Sequence, residues 1–360
     1  MAVRLGDVLD FRSGRSAPET RTHGRFRVYG ANGTIGYAPE LNAKGPVIVI
    51  GRVGTYCGSV RYCQSDIWVT DNAFACRPKN GEDSRFWYYA LRASGLNTHR
   101  SGSGQPLLNR SILCDIPAPD VIPEDRRRIG ALLGSVDDKI AASERVISAA
   151  EAVMVSVAEP VSGRVPLSEL ARRSSAFADP RDFTDLVAHF SLPAFDDGAT
   201  PRVVAGSSIK SGKFLLTRPC VLFAKLNPRI PRVWNVVDLP PQLPVASSEF
   251  VVLTPAGVET SVLWAALRQP EVSEALQRQV VGTSGSHQRI RPLDLLEVPV
   301  RDVRGLAPSA AQFITQLGAL CQTRRIEVTR LAAYRDALLP LLMSGEVRIS
   351  DGNGSQGQIG

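Results

Sequence analysis

The sequence predicts an α+β protein written twice: two globular domains, each followed by a long helix, related by an approximate two-fold within 360 residues. Three observations predict it. The first is a recurring phrase. GSGQPLLNRSILCDIPAPD (residues 102–120) and GTSGSHQRIRPLDLLEVPVRD (residues 282–302) both carry Ser-Gly, a polar stretch and leucines. Both then reach an acid and an aliphatic-proline pair, Asp115-Ile116-Pro117 and Glu297-Val298-Pro299, with one residue inserted in the second copy. The second observation is a long helical segment after each copy. The third is a matching start to each unit, VRLGDVLDF near Leu5 and VPLSELARR near Leu167. A unit of this size exceeds the roughly 20 to 50 residues of a solenoid repeat and reads as a duplicated domain plus helix.

Taken in order, the first domain reads as mostly β. ANGTIGY carries an Asn-Gly turn signal at Asn32-Gly33. GPVIVIGRVGTYCGSVRYC predicts a buried strand at residues 47–50, a glycine-rich turn and a second strand, and DIWVTDNAFACRP predicts a further strand pair. A short helix is expected over residues 84–93. Pro123 with Glu124 and Asp125 then makes a good start for the first long helix. Leu133, Ile140, Ile147 and Met154 fall seven apart, with Val136, Ser143, Ala150 and Val157 three residues after each. That seam belongs to a helix packed lengthwise on another. In the second domain FLLTRPCVLFAKL and SSEFVVLTP take the strand roles, and one helix is expected over residues 261–277. The second long helix places Ile314, Leu317, Cys321, Val328, Leu331, Leu338 and Leu342 on one seam, interrupted by Arg324 and Arg335. Pro340 should kink it or end it early, because its ring clashes with the preceding turn. Ser344-Gly345 is a good stop. The expected domains are 1–122, 123–160 (helix), 161–306 and 307–345 (helix), with a low-complexity, disordered tail at 346–360.

Composition bounds the function. No run of 18 apolar residues is present, and the first residues lack the form of a signal peptide, so no membrane partner is expected. The cysteines at 57, 63, 76, 114, 220 and 321 contain no CxxC, which reads as reduced thiols in a cytoplasmic protein. The net charge is +7 and unevenly placed. Residues 198–237 hold Arg202, Lys210, Lys213, Arg218, Lys225, Arg229 and Arg232 and no acid. Residues 11–65 hold eight basic residues against Glu19 and Glu40. A basic stretch in each half is the footprint of a nucleic-acid binder, against the plainer alternative of a solvated surface.

A search for catalytic motifs finds none. There is no GxxxxGK[ST], and the glycines of GRVGTYCG do not form GxGxxG. Asn227-Pro228 begins like the tetrapeptide of amino-methyltransferases, but Arg229-Ile230 break the pattern. Asp137-Asp138 and Asp196-Asp197 read as solvated faces rather than metal ligands. His23, His99, His189 and His287 lack ligand or triad spacing. His287 and Arg289, in SGSHQRIR, are candidates for contacts to bases or phosphates, or for holding a domain-to-helix junction.

The alternation of two variable regions with two long helices, the Ile-Pro and Val-Pro phrases and the closing LLPLLMSGEVRI resemble the specificity subunit of type I restriction–modification systems. GANGTIGY, GRVGTYCGSV and WVTDNAFACRP are similar to one class of that family's target recognition domains. The resemblance implies two target recognition domains that each read half of a bipartite site in double-stranded DNA. It implies that the helices form an antiparallel coiled coil that spaces them, seamed by Leu133, Ile140, Ile147, Met154, Leu317, Val328, Leu331 and Leu338. A helix of this length is roughly 50 Å long, about one and a half turns of B-DNA. The resemblance also implies a non-catalytic chain without a cofactor of its own. Two methyltransferase subunits would bring S-adenosylmethionine, and restriction subunits, where they exist, ATP and magnesium. Rival readings are a protein-bridging scaffold, an enzyme acting alone, or the recognition subunit of a methylation-only system. Charge and loop context select Arg12, Arg15, Lys44 and Arg52 in the first domain as DNA contacts. In the second they select Lys210, Lys213, Lys225, Asn227 and Arg229, beside His287 and Arg289.

Overall fold

The computed structural model describes residues 3–81, 84–101, 106–183, 185–227, 230–279 and 289–349. The chain divides into two compact units, Met1–Lys139 with Ala332–Gly360, and Ile140–Leu331. The first begins with a single turn of helix, α1 (Leu5–Val8), and continues through β1 (Leu9–Ser13), β2 (Phe26–Gly30), β3 (Gly33–Ala38), β4 (Val47–Gly51), β5 (Val60–Cys63), β6 (Ile67–Val69) and β7 (Ala73–Pro78). The helices α2 (Ser84–Ala93), α3 (Arg110–Asp115) and the long α4 (Pro123–Ala158) follow. The strands form two sheets, an antiparallel one in the order β1-β7-β4-β5 and a smaller one in the order β3-β2-β6. VIVIG of β4 is buried at every position, which is why it reads as an unbroken apolar run rather than an alternating one. Phe86, Trp87, Tyr89 and Leu91 of α2 pack with Phe11, Ile48, Ile50 and Phe74 into the core. The Asn-Gly signal falls at the β2–β3 hairpin, where Gly30 pairs with Gly33. The expected strand pair of residues 66–78 is not a pair: β6 joins β2 in the small sheet and β7 lies between β1 and β4 in the large one. Three residues separate the two strands, and they carry the chain from one sheet to the other.

The second unit repeats this plan. Its elements are β8 (Arg164–Pro166), α5 (Leu167–Leu170), β9 (Ala171–Ser174), β10 (Phe177–Ala178), β11 (Leu186–Phe190), α6 (Leu192–Asp196), β12 (Arg202–Ala205) and β13 (Lys213–Leu215). They continue through β14 (Cys220–Ala224), β15 (Val233–Val236), β16 (Leu243–Ala246), β17 (Phe250–Pro255), α7 (Thr260–Leu267), α8 (Pro270–Gln279), α9 (Pro292–Leu296) and β18 (Pro299–Arg301). One sheet runs β15-β14-β17-β9. Its strands match β5, β4, β7 and β1 in the same spatial and sequential order, and all neighbours are antiparallel in both units. The other sheet runs β10-β13-β16-β11-β12. Its β12-β11-β16 core matches β3-β2-β6, including a parallel pair, β11 with β16 and β2 with β6. The strands β10 and β13 are extra. The helix expected over residues 261–277 is broken into α7 and α8. Pro270 opens α8 because it cannot donate to a continuing helix and biases the preceding residue away from it. Gln269 at the break is buried and donates to the Val155 and Ala265 carbonyls.

The last helix, α10, spans Pro308–Ser344. It neither ends nor breaks at Pro340, which lies inside it on the exposed side, and it stops at Ser344 before Gly345 in the left-handed conformation. The two long helices pair antiparallel. In the second unit the Ser143 hydroxyl of α4 bonds Glu327 of α10 and Cys321 reaches the Ile147 carbonyl, while Arg325 pairs with Glu151. In the first unit Ile129 and Leu133 of α4 share a core with Leu339 and Leu342 of α10. Along the seam Leu133, Ser143, Ala150, Met154, Ile314 and Cys321 are buried, and Ile140, Ile147, Leu317, Val328, Leu331 and Leu338 are half-buried. The two arginines that interrupt the pattern are accommodated by pairing: Arg335 with Asp137, and Arg324 with Glu327. Asp137 is therefore not on a solvated face as its sequence context suggested, since the hydroxyl of buried Tyr89 also donates to it.

Candidate nucleic-acid interface

In the first unit Arg12, Arg15 and Lys44 line one groove of about 500 Å³. Arg12 stands near the end of β1, Arg15 on the bridge from β1 to Thr70, and Lys44 on the loop before β4. The Arg15 backbone is fixed on both sides, donating to the Val69 carbonyl and accepting from Asp71. A Cβ on the adjacent Gly14 would lie 2.1 Å from the Thr70 carbonyl oxygen, so only glycine allows this approach. Arg77 also lines the groove, against the single acid Asp10. Asp10 is bonded by Arg12 at 2.7 Å and approached by Arg110 at 3.7 Å. Four basic residues against one carboxylate leave the groove positive. Arg77 was not singled out from the sequence, because the apolar run AFAC that precedes it reads as core strand.

Arg52 lies elsewhere, directly after β4. Its guanidinium sits over the Phe74 ring, 5.0 Å from the centroid. Its Nε is buried without a hydrogen-bond partner among the described residues. Lys225 occupies the same position in the second unit, directly after β14. The Arg52 N–H donates to the Asn72 carbonyl at 3.0 Å and its carbonyl accepts from Leu108 at 2.9 Å. The Lys225 N–H donates to the Glu249 carbonyl at 2.8 Å and its carbonyl accepts from Ile290 at 2.9 Å. The next residues, Val53 and Leu226, bridge to Leu107 and Arg289. After them come Gly54 and Asn227, both left-handed at φ +70° and +52°. The recurring phrase is thus explained. Leu107-Leu108 in one copy and Arg289-Ile290 in the other close onto the turn that follows the central strand.

The acid-free basic run of residues 198–237 is not acid-free in space. Arg232 forms two hydrogen bonds with Asp196, and Arg202 bonds Asp197 at 2.9 Å. These carboxylates serve arginines, and no group of three or more metal-ligating side chains occurs among the described residues. Lys213 is buried, its ammonium bonded to the Ser211 carbonyl at 2.8 Å and hydroxyl at 2.6 Å, and burial pushes its pKa down. Exposed Lys210 is held to the Ser207 carbonyl at 2.7 Å. Lys225 is half-buried, its pKa lowered by burial first, with Glu249 opposing and Arg289 and Arg173 adding to the shift. Arg289 is exposed and bonds Glu249 at 3.2 Å. Lys225 thus lies within the electrostatic reach of Arg289, Arg173 and Glu249, whereas Lys210 and Lys213 belong to the other sheet and its loop. Arg173 was missed because only the tertiary fold brings β9 beside β17. Arg229 and His287 lie outside the described residues.

Residues 1–152 match the family model of the type I restriction modification DNA specificity domain. A curated relative, the type I restriction enzyme EcoprrI specificity subunit of Escherichia coli, is 28% identical over 108 residues, which is 28% of this chain and 27% of the relative. The matched segment is thus about a quarter of that relative's length. Among solved structures, the type I restriction–modification S subunit from M. genitalium superposes with a TM-score of 0.62 at 14% identity, over 95% of both chains. The HsdS subunit from Thermoanaerobacter tengcongensis aligns over 96% of this chain and 97% of that one at 16% identity, with a TM-score of 0.30. The chain is thus similar over residues 1–152 to the type I restriction modification DNA specificity domain, and as a whole it has the α+β fold of the S subunit from M. genitalium.

Proposed function

We propose that this chain is the DNA sequence-specificity subunit of a type I restriction–modification complex. Each unit reads one half of a bipartite site in double-stranded DNA. Lys and Arg contacts to phosphates supply affinity, and a few loop side chains supply sequence. Two methyltransferase subunits dock on this chain and bring S-adenosylmethionine. Restriction subunits, where present, bring ATP and magnesium. The chain itself performs no chemistry and works in the cytoplasm, where its six free cysteines stay reduced.

One observation carries the reading: a single two-sheet design occurs twice, with a basic residue at the same turn of each copy. A scaffold that only bridges proteins has no need of two matched positive turns. The test is reconstitution. The methyltransferase partner, with S-adenosylmethionine and DNA, should methylate a defined bipartite site when this chain is present and none when it is omitted. Methylation at the same site without the chain would refute the proposal.

A further inference from the structure

Resting on the DNA-reading function proposed above, we propose that Arg52 and Lys225 are equivalent anchors, each holding a DNA phosphate at the corresponding place in its own half-site. The two residues share one local frame. Each directly follows the central strand of its four-stranded sheet. Each donates its N–H to the loop before the neighbouring strand, at Asn72 or Glu249, and accepts at its carbonyl from the recurring phrase, at Leu108 or Ile290. Each is followed by a bridge to that phrase and then by a left-handed residue.

A frame set by these matching features fixes where the side chain begins, and both copies place a cation there. The match extends back through the strand, where Pro46 to Arg52 and Pro219 to Lys225 each run as a proline, five apolar or small residues and a cation, although the residues that follow, Val53-Gly54 and Leu226-Asn227, differ. The side chains are also unspent. The Arg52 Nε is buried and unpartnered, and the only hydrogen bond its guanidinium makes among the described residues is a long one, 3.4 Å, to the Asp71 carbonyl. Lys225 stands beside Arg289 and Arg173, with Glu249 as the acid facing that cluster. An excess of cations with one carboxylate suits a phosphate, which accepts several charge-assisted hydrogen bonds at once. Left-handed backbone at Gly54 and Asn227 turns the chain away immediately afterwards. Glycine and asparagine are the residue types that tolerate that conformation.

The test uses the whole complex, this chain with its methyltransferase subunits, and DNA carrying the recognised site. Arg52→Gln and Lys225→Gln are made singly and together, and affinity is measured over a range of salt concentrations. Each phosphate that is no longer neutralised should lower the slope of log K against log salt by about 0.9, an affinity loss of about eightfold at 0.1 M salt. The two variants should give equal losses, and the double variant should lower the slope by about 1.8. The charge-keeping Arg52→Lys and Lys225→Arg should retain the parent slope. Arg52→Gln also removes the stacking on Phe74, so a destabilised Arg52 variant is judged by its Arg52→Lys counterpart and by the Lys225 pair. An unchanged slope in folded Lys225→Gln overturns the proposal. So does loss of methyltransferase subunits at constant slope, which would make the turns a protein-docking site. If the parent complex itself shows no sequence preference, the failure lies with the DNA-reading function.

Discussion

Arg335 of α10 donates to Asp137 of α4 at 2.6 Å, and the same carboxylate accepts from the Tyr89 hydroxyl at 2.5 Å. The Arg335 side chain is only 14% exposed, and it also bonds Asp336, which Arg92 reaches at 3.1 Å. A charge in a helix seam is tolerated because the carboxylates around it replace water. Removing Asp137 leaves Arg335 with Asp336 alone and takes away the acceptor of the buried Tyr89 hydroxyl, at a cost of about 3 kcal/mol. Asp137→Ala should lower the stability of the first unit by about that amount, measured by denaturant unfolding. Replacing Asp137 and Arg335 together by leucine should recover most of it. An Asp137→Ala protein as stable as the parent would show that the network contributes nothing.

The groove lined by Arg12, Arg15, Lys44 and Arg77 predicts a sequence-independent share of affinity. Replacing Arg12, Arg15 and Lys44 together by alanine should weaken binding to matched and mismatched DNA alike. It should reduce the salt slope by about 2.7, which is about 0.9 for each of the three cations removed. Weakening confined to one base of the site would mean that the groove reads sequence instead.

Much of this arrangement was legible in the sequence and some of it was not. The domain-plus-helix repeat follows from the recurring phrase and the matching starts, and the buried strand at Val47 and the seam through Leu133 and Met154 follow from local apolar patterns. Strand partners do not. TDN (residues 70–72) looks like a hairpin loop, yet it carries the chain between two sheets, because pairing is decided by residues far away in sequence. Charge runs proved least transferable. Arg202 and Arg232 looked free until the fold brought Asp197 and Asp196 to them. Arg52 and Lys225 were each visible as a basic loop residue after an apolar strand, but that they share one frame became evident from the backbone hydrogen bonds around them.

Lys213 separates charge in the sequence from charge at the surface. Its ammonium is buried against Ser211 and is not available to a phosphate. Lys213→Met should leave the salt slope of DNA binding unchanged and keep stability within about 1 kcal/mol, since a hydrophobic chain of similar size fills the site. A slope lowered by about 0.9 would put Lys213 on the DNA.

Acid should weaken the second unit through Glu271. Burial opposes the charge of this carboxylate. Hydrogen bonds from its own backbone, from Arg164 at 2.9 Å and from Arg301 at 2.7 Å outweigh that effect and hold its pKa below the ordinary 4.5. A depressed folded pKa means that the unfolded chain binds the proton first. The stabilisation is therefore present above about pH 4.5 and is lost as pH falls through the lower folded value. Asp302, held down by Arg304, acts in the same direction. Glu271→Gln should be less stable than the parent at neutral pH, and its thermal midpoint should fall less on acidification. Parallel pH profiles for the two proteins would contradict this linkage.

The central claim is that two readers in one chain each own half of a site. Its most direct test is methylome sequencing of a strain that carries the methyltransferase partner and a chimaera of this chain. In the chimaera, residues 3–122 are replaced by the corresponding domain of a known type I specificity subunit. The account predicts a new sequence in one half-site, with the other half-site and the gap between them unchanged. A change in both halves, or in neither, would contradict it.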